Sequence, residues 1–272
     1  MIPAAFDYVR AGSVDEAISL LGSHEDAKLL AGGHSLLPAM KLRVARPSTL
    51  VDIGRLSDLS YVREDGDRVA IGALTRHHDV ANAEALQQLC PIVAHAAGQI
   101  GDPQVRHMGT IGGSVAHGDP AGDLPTVLLA LDAEFVAQGP KGSRSIPASG
   151  FFTSLFETAL TPDEVLTEIR VLKAAAGWSF LKFQRRAQDW AIVGVSAVRS
   201  NGGVHVGLTN MGLTPLRAAG VEEAVGSGAD PASAAARADE GTAPPDDAFG
   251  SAEYRRELAK VLVRRALEEA MA

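Results

Sequence analysis

The chain has 272 residues, 46% apolar and 5% aromatic, with a formal net charge of −8. That length suits one large domain or two to three small ones; the acidic balance argues against a nucleic-acid surface, which needs clustered Lys and Arg, and no apolar run approaches the roughly 18 residues of a membrane span. The single cysteine, Cys90, cannot alone hold an iron–sulfur cluster, a structural zinc or an internal disulfide, so redox chemistry here would need an organic cofactor and any metal centre would sit on another chain.

Met1 to Arg10 lacks a basic region leading into an apolar core, so no signal peptide is expected and the expected location is cytoplasmic. Ser13-Val14-Asp15-Glu16 is a capping box, and Val14, Ala17, Ile18 and Leu21 follow at helical spacing. Lys28 to Ala31 is a short apolar run ended by Gly32-Gly33, which predicts a strand entering a turn. Ser35 can cap a following helix, with Pro38 tolerated in its first turn. Thr49 to Ile53 is a predicted strand, so residues 1–56 form a β-α-β-α-β unit.

Arg68 to Leu74 is a predicted strand, and Thr75 caps the next helix, with His77-His78 solvated at its start. Cys90 to Ile100 is a predicted helix stopped by Gly101-Asp102-Pro103, and the glycine-rich stretch from Gly109 to Gly122 is expected to be loop. Leu124 to Leu131 then predicts a helix, with strands at Glu134–Ala137 and Val165–Val171. After Ala174-Ala175-Ala176-Gly177 the pattern changes. Phe180–Phe183, Ala191–Arg199 and Val204–Leu208 predict a three-stranded antiparallel sheet, with Asn201-Gly202-Gly203 as a hairpin turn. Asp230-Pro231 opens a short helix, and Gly241 to Asp247 is a polar linker. Ser251 to Met271 is a closing amphipathic helix with Leu258, Val261, Leu262 and Leu267 on its buried side. The predicted units are 1–56, 57–174 and 175–272.

Two Gly-Gly turns stand out: Ala31-Gly32-Gly33-His34-Ser35 and Thr110-Ile111-Gly112-Gly113-Ser114. A pyrophosphate is a dianion that backbone N–H groups must approach closely. Glycine removes the Cβ that would block them and reaches the φ > 0 conformations that aim successive N–H groups at one anion. Either turn alone is equally a plain tight turn, and the pair alone supports only an anion held by backbone. No G-x-x-x-x-G-K-[ST] and no G-x-G-x-x-G follows a strand, and Gly139-Pro140-Lys141-Gly142-Ser143 has the wrong spacing.

The longer runs around the turns carry a resemblance. Ala31 to Lys41 resembles the first flavin loop of the medium subunits of molybdenum hydroxylases, the family that includes the FAD domain of xanthine dehydrogenases. Gln99 to Arg106, Gly109 to Ser114 and Asp119-Pro120-Ala121-Gly122-Asp123-Leu124-Pro125 resemble their second. His34 and the Ala116 to Ala121 run are most similar to the branch serving aerobic carbon monoxide oxidation. The resemblance implies an α+β chain: a p-cresol methylhydroxylase-type FAD-binding fold of two α/β subdomains, then a C-terminal antiparallel sheet with helices. By matching position it implies that Leu29, Leu30 and Ala31 line adenine and ribose. Gly32, Gly33, His34 and Ser35, running into Leu36, hold pyrophosphate, and Ile100 and Gly101 approach the flavin edge. Thr110, Ile111, Gly112, Gly113 and Ser114 add phosphate and ribityl contacts, and Asp123 accepts hydrogen bonds from cofactor hydroxyls. Leu166 and Lys182 lie near the isoalloxazine, where a cation would stabilise reduced flavin. Trp190 stands where the family often has Tyr or Phe.

The same resemblance implies partners. A large subunit holds the molybdenum cofactor, a small one holds [2Fe–2S] clusters, and the whole is a dimer of heterotrimers. FAD on this chain passes electrons to a quinone or another acceptor, at the inner face of the membrane where that acceptor is a quinone. Among single residues, Asp119 and Asp123 are ordinary loop-ordering carboxylates, His34, His107 and His117 form no recognisable metal set, and Arg185-Arg186 is a solvated face or a docking patch. No nucleophile–base–orienter set emerges, which suits chemistry carried by a cofactor. The competing readings are the medium subunit of a purine, nicotine, aldehyde or N-heterocycle hydroxylase, a stand-alone flavoenzyme with its own acid–base residues, and an assembly subunit without FAD.

Overall fold

The computed structural model describes residues 1–272 apart from Ala175, Asn201 and Gly202. The first unit comprises β1 (Asp7–Arg10), α1 (Val14–Ser23), β2 (Ala27–Leu30), α2 (Leu36–Lys41) and β3 (Thr49–Asp52). Its three strands are parallel in the order β1-β3-β2, as the β-α-β-α-β pattern requires. Ser13 accepts from Glu16 N at 3.1 Å while the Glu16 carboxylate accepts from Gly12 N at 2.7 Å, so the box forms with the return bond one residue early. Ser35 sits at the N-cap of α2 but makes no side-chain capping bond. Its backbone is already near-helical there, at φ −107° and ψ −47°.

The second unit is a five-stranded sheet with a helical layer. In chain order it runs β4 (Val62–Asp65), β5 (Arg68–Gly72), α3 (His77–Asn82), α4 (Glu84–Leu89), α5 (Pro91–Gly98), α6 (Pro103–Met108), α7 (Ile111–His117), α8 (Asp123–Ala130), β6 (Glu134–Gly139), β7 (Gly142–Pro147), β8 (Phe152–Ser154), β9 (Glu157–Thr158) and β10 (Val165–Leu172). The sheet order is β4-β5-β10-β6-β7, with antiparallel neighbours. Val69, Ile71, Phe135 and Ile169 from the strands pack with Ile92, Val93, Leu124 and Leu128 from α5 and α8 in one buried cluster.

Two expectations change here. The region Gly109 to Gly122 is not all loop: α7 forms within it, capped by Thr110, whose hydroxyl accepts from Gly113 N at 3.1 Å. Its glycines cost conformational entropy, but a Cβ on Gly112 would lie 2.5 Å from that of Ala73, so close packing on β5's exit offsets the cost. Thr75 does not cap α3. Its hydroxyl donates to Gly72 O and Tyr61 O, and Arg76 occupies the N-cap.

The third unit contains β11 (Trp178–Phe183), β12 (Val193–Ser200), β13 (Gly203–Thr209), β14 (Leu216–Arg217), α9 (Ala219–Gly226), α10 (Pro231–Ala235) and α11 (Ala252–Met271). The sheet order β11-β12-β13-β14 is antiparallel and one short strand longer than expected. Ala175 at the expected boundary, and Asn201 and Gly202 of the expected hairpin turn, lie outside the described residues. Asp230 and Ser251 cap α10 and α11. Leu262 and Leu267 of α11 are buried, whereas Val261 is 43% exposed. The buried stripe runs instead through Ala259, Val263, Ala266 and Ala270, small residues that let the helix lie close on the sheet.

Helix α8 joins the second and third units. The Thr209 hydroxyl donates to that of Thr126 at 2.8 Å, and a Cβ on Gly207 would lie 2.8 Å from the Thr126 carbonyl oxygen. Gly207→Val should push β13 off α8, lowering stability by about 1–3 kcal/mol, the usual cost of overpacking. Chemical denaturation against wild type measures it.

Candidate functional site

The first glycine loop links β2 to α2. Gly33 takes φ +74°, and the backbone N–H groups of Gly32, Gly33, His34 and Ser35 donate to no protein acceptor among the described residues. Four consecutive free donors in a turn form an anion-binding concavity. From residue 27 to residue 51 the chain carries four cations, Lys28, Lys41, Arg43 and Arg46, and no carboxylate. Within a chain of net charge −8, this segment is locally positive.

The second loop differs. Ile111 N donates to Thr75 O at 3.0 Å, Gly112 N to Ala73 O at 2.8 Å and Ser114 N to Thr110 O at 3.0 Å, while Gly113 N is taken by the Thr110 hydroxyl. These N–H groups anchor the loop to β5's exit and to its own helix. The two loops meet. A Cβ on Gly32 would lie 2.8 Å from Gly109 Cα and closer still to the Met108 carbonyl oxygen, so the first turn rests backbone to backbone on the segment leading into the second.

A second cluster forms where α5, α8 and β11 converge. Lys182 Nζ lies 2.7 Å from Asp123 Oδ2, with side chains 3% and 6% exposed, and donates to Gln99 O at 3.4 Å. Ile100 and Gly101, the latter at φ +48°, follow directly, and Arg106 donates to both their carbonyls at 2.9 Å. Burial pushes the Asp123 carboxyl up to about 6 in spite of the lysine beside it. Asp123 Oδ1 is buried and accepts no hydrogen bond, so the pair has one acceptor to spare. Lys182 is therefore not the free cation that the sequence suggested; its charge is matched by a buried carboxylate.

Leu29, Leu30 and Ala31 are half-buried along β2 and its exit, leading into the first loop, and Leu36 opens α2. Leu166 is 6% exposed and belongs to the core cluster under the sheet, beside a register shift between β10 and β6. Trp190 lies on the β11–β12 loop and is 68% exposed. A shallow hollow of about 560 Å³ lies on the third unit, lined by Phe183, Gln184, Arg185, Ile192, Ala248, Phe249 and Tyr254; no glycine-loop residue lines it. The expectation that His77 is solvated fails, because it is 5% exposed, against Gly109. Its spacing from the buried Val80, three residues on along α3, was the available signal. No group of His, Cys, Asp and Glu suited to a metal occurs among the described residues, and burial pushes the Cys90 thiol up to about 12, leaving it inert at neutral pH. Among the described residues, no helix is long and apolar enough to cross a membrane.

Free N–H groups in a positive segment fit a pyrophosphate, and a buried orphan acceptor fits a cofactor hydroxyl. The fold and these groups are those of a chain able to hold a dinucleotide cofactor. Residues 4–171 match the FAD binding domain in molybdopterin dehydrogenase, and residues 178–270 match the CO dehydrogenase flavoprotein C-terminal domain; the chain belongs to this family of FAD-binding proteins. The carbon monoxide dehydrogenase medium chain of Hydrogenophaga pseudoflava is 43% identical, over 100% of this chain and 99% of that one. Subunit alpha of the 6-hydroxypseudooxynicotine dehydrogenase complex of Paenarthrobacter nicotinovorans is 39% identical, over 100% and 96%. Among solved structures, the Hydrogenophaga pseudoflava carbon monoxide dehydrogenase lacking the Mo-pyranopterin moiety superposes with a TM-score of 0.95 at 44% identity, covering 100% of this chain and 99% of that one.

Gly32→Ala should part the loops, at about 1–3 kcal/mol, and lower FAD retention. Gly113→Ala, whose Cβ would meet only the Thr110 hydroxyl at 2.8 Å, should retain more; flavin released on denaturation distinguishes the two. Lys182→Met should destabilise by about 3–5 kcal/mol by stranding a buried carboxylate, and adding Asp123→Asn should recover most of the loss in a urea titration.

Proposed function

We propose that the chain is the FAD-carrying, electron-transferring medium subunit of a molybdenum hydroxylase of the carbon monoxide dehydrogenase type. The free N–H groups of Gly32, Gly33, His34 and Ser35 carry this reading: they are the donors a cofactor pyrophosphate needs, in the segment that resembles the family's first flavin loop. Leu29, Leu30 and Ala31 line the adenosine side and Leu36 continues the wall. Thr110, Ile111, Gly112, Gly113 and Ser114 form the opposing wall, with the hydroxyls of Thr110 and Ser114 as its polar groups. Ile100, Gly101, Asp123, Leu166, Lys182 and Trp190 serve the flavin end. The units 1–56, 57–174 and 175–272 divide the work: the first two grip the cofactor, and the third brings Lys182 and Trp190.

Bound FAD supplies the ability to take electrons singly and deliver them in pairs. The chain's own residues hold it. The amide donors orient the pyrophosphate, the spare oxygen of Asp123 accepts from a cofactor hydroxyl, and the buried Asp123–Lys182 pair keeps water from the flavin end. In the complex, a large subunit with the molybdenum cofactor oxidises the substrate and a small subunit with [2Fe–2S] clusters relays electrons. Two such heterotrimers pair, and a quinone at the inner face of the membrane is the acceptor: CO + H2O + quinone → CO2 + quinol. The similarity to the carbon monoxide dehydrogenase medium chain favours that substrate, which is bound by another chain.

The purified protein should release one FAD per chain on denaturation. Gly33→Asp should abolish this, because it sets a carboxylate among the phosphate donors. In the assembled complex, carbon monoxide should bleach the flavin absorbance; bleaching by an aldehyde or N-heterocycle but not by carbon monoxide would reassign the substrate.

A further inference from the structure

We propose that His77 is the positioning residue that holds the two glycine loops in register, and that its buried, uncharged ring makes the chain's grip on FAD acid-labile. This rests on the FAD site read above. His77 opens α3, and its backbone N–H donates to Gly109 O at 3.0 Å. Its ring packs directly against Gly109: a Cβ there would lie 2.8 Å from His77 Cδ2 and 3.0 Å from Nε2. Gly32 rests on the same Met108–Gly109 segment. The junction is therefore layered, with the first loop on the segment and the segment on the imidazole. Arg76 adds a hydrogen bond to Met108 O.

The ring is sealed in without a partner for Nδ1. A neutral imidazole has one donor and one acceptor nitrogen, but a protonated one has two donors, and here the second would find no acceptor. The charged groups acting on it are also unfavourable: His34 on the first loop, Arg76 beside it on α3 and Arg106 on α6. The carboxylates on the packed elements do not offset them. Asp79 on α3 and Glu84 on α4 do not act on the ring, and Asp102, at the N-cap of α6, is engaged with Val105 N at 2.8 Å. On α5, His95 bonds the Gln99 side chain at 2.7 Å. The stacked rings of His78 and His107, with centroids 4.0 Å apart, tie α3 to α6 at the same junction.

Burial, helped by these cations, pushes His77 down to about 4 from its ordinary 6.5. The sign follows. If the ring titrates normally when the junction opens, closure is fully favoured above pH 6.5. It then weakens up to about tenfold per pH unit down to pH 4 and is constant below. Acid thus draws the ring into water, removes the support under Met108–Gly109, and parts the loops that hold the cofactor.

The test uses the full chain loaded with FAD, diluted into buffers from pH 7.5 to 5, with release followed by flavin fluorescence. Wild type should release FAD about thirtyfold faster at pH 5 than at pH 7.5. His77→Phe, which keeps a flat ring against Gly109, should hold FAD at pH 7.5 and lose at least tenfold of that acceleration. His77→Gln, which loses the ring, should release FAD faster than wild type already at pH 7.5, with the same loss of acid acceleration. Both variants are compared with wild type by melting at pH 7.5. Asp123 also titrates in this range but is common to all three proteins, so the difference isolates His77. Should both variants fail to fold, NMR of the His77 ring in FAD-loaded wild type decides. A ring still neutral at about pH 5.5 supports the proposal, and one titrating near 6.5 with FAD bound overturns it. Variants with the wild-type pH slope overturn it too. A wild-type chain that holds no FAD at pH 7.5 overturns the site reading itself, and this inference with it.

Discussion

The proposed cofactor site depends on one backbone-to-backbone contact, Gly32 against Met108 and Gly109. It is a point where the parallel three-stranded unit meets the second unit, and it leaves no room for a side chain. Because β2 and α2 use neither the N–H groups nor the side chains of residues 32 to 35 for their own closure, the turn can rest on its neighbour with its donors free. The second loop has the opposite arrangement. Its N–H groups are spent on Ala73, Thr75 and Thr110, which makes it a rigid wall rather than a donor set. One loop keeps its donors free while the other is fixed.

The buried Asp123–Lys182 pair plays the matching part at the far end. Asp123 begins α8, the helix that Gly207 and Thr209 hold against the third unit, and Lys182 comes from β11 of that unit. Desolvating two charges is costly and is repaid only by close pairing, so the pair forms only when α8 and the C-terminal sheet are correctly docked. The C-terminal unit is thereby coupled to the second unit through a charge balance as well as an apolar contact. With the lysine neutralised, what the pair presents is the free oxygen of Asp123, an acceptor rather than a cation.

Much of this was legible in the sequence where the signal is local. The Ser13 box (its return bond shifted to Gly12), the helix starts at Asp230-Pro231 and Ser251 and the β-α-β-α-β pattern of the first 56 residues depend on neighbours a few positions apart, and they appear in the structure. The α7 helix was missed because glycine content argues for loop. What outweighs it is contact with Ala73, some forty residues earlier. Val261 was placed on the buried side by its apolar character, although the buried stripe runs through Ala259, Leu262, Val263, Ala266, Leu267 and Ala270 and leaves Val261 outside it.

The sequence by itself determined the chemistry open to the chain. One cysteine leaves too few thiols for an iron–sulfur cluster, two glycine turns offer backbone to an anion, and the runs around them resemble flavin loops. Only the tertiary structure decided which turn keeps its donors, that the Lys182 charge is already matched, and that His77 is buried rather than solvated. Those outcomes depend on Gly32 meeting Gly109, Asp123 meeting Lys182 and Ala73 meeting Gly112. Hydrogen-bond satisfaction and burial are set by such distant partners, whereas a residue's type and its near neighbours set only what it is able to offer.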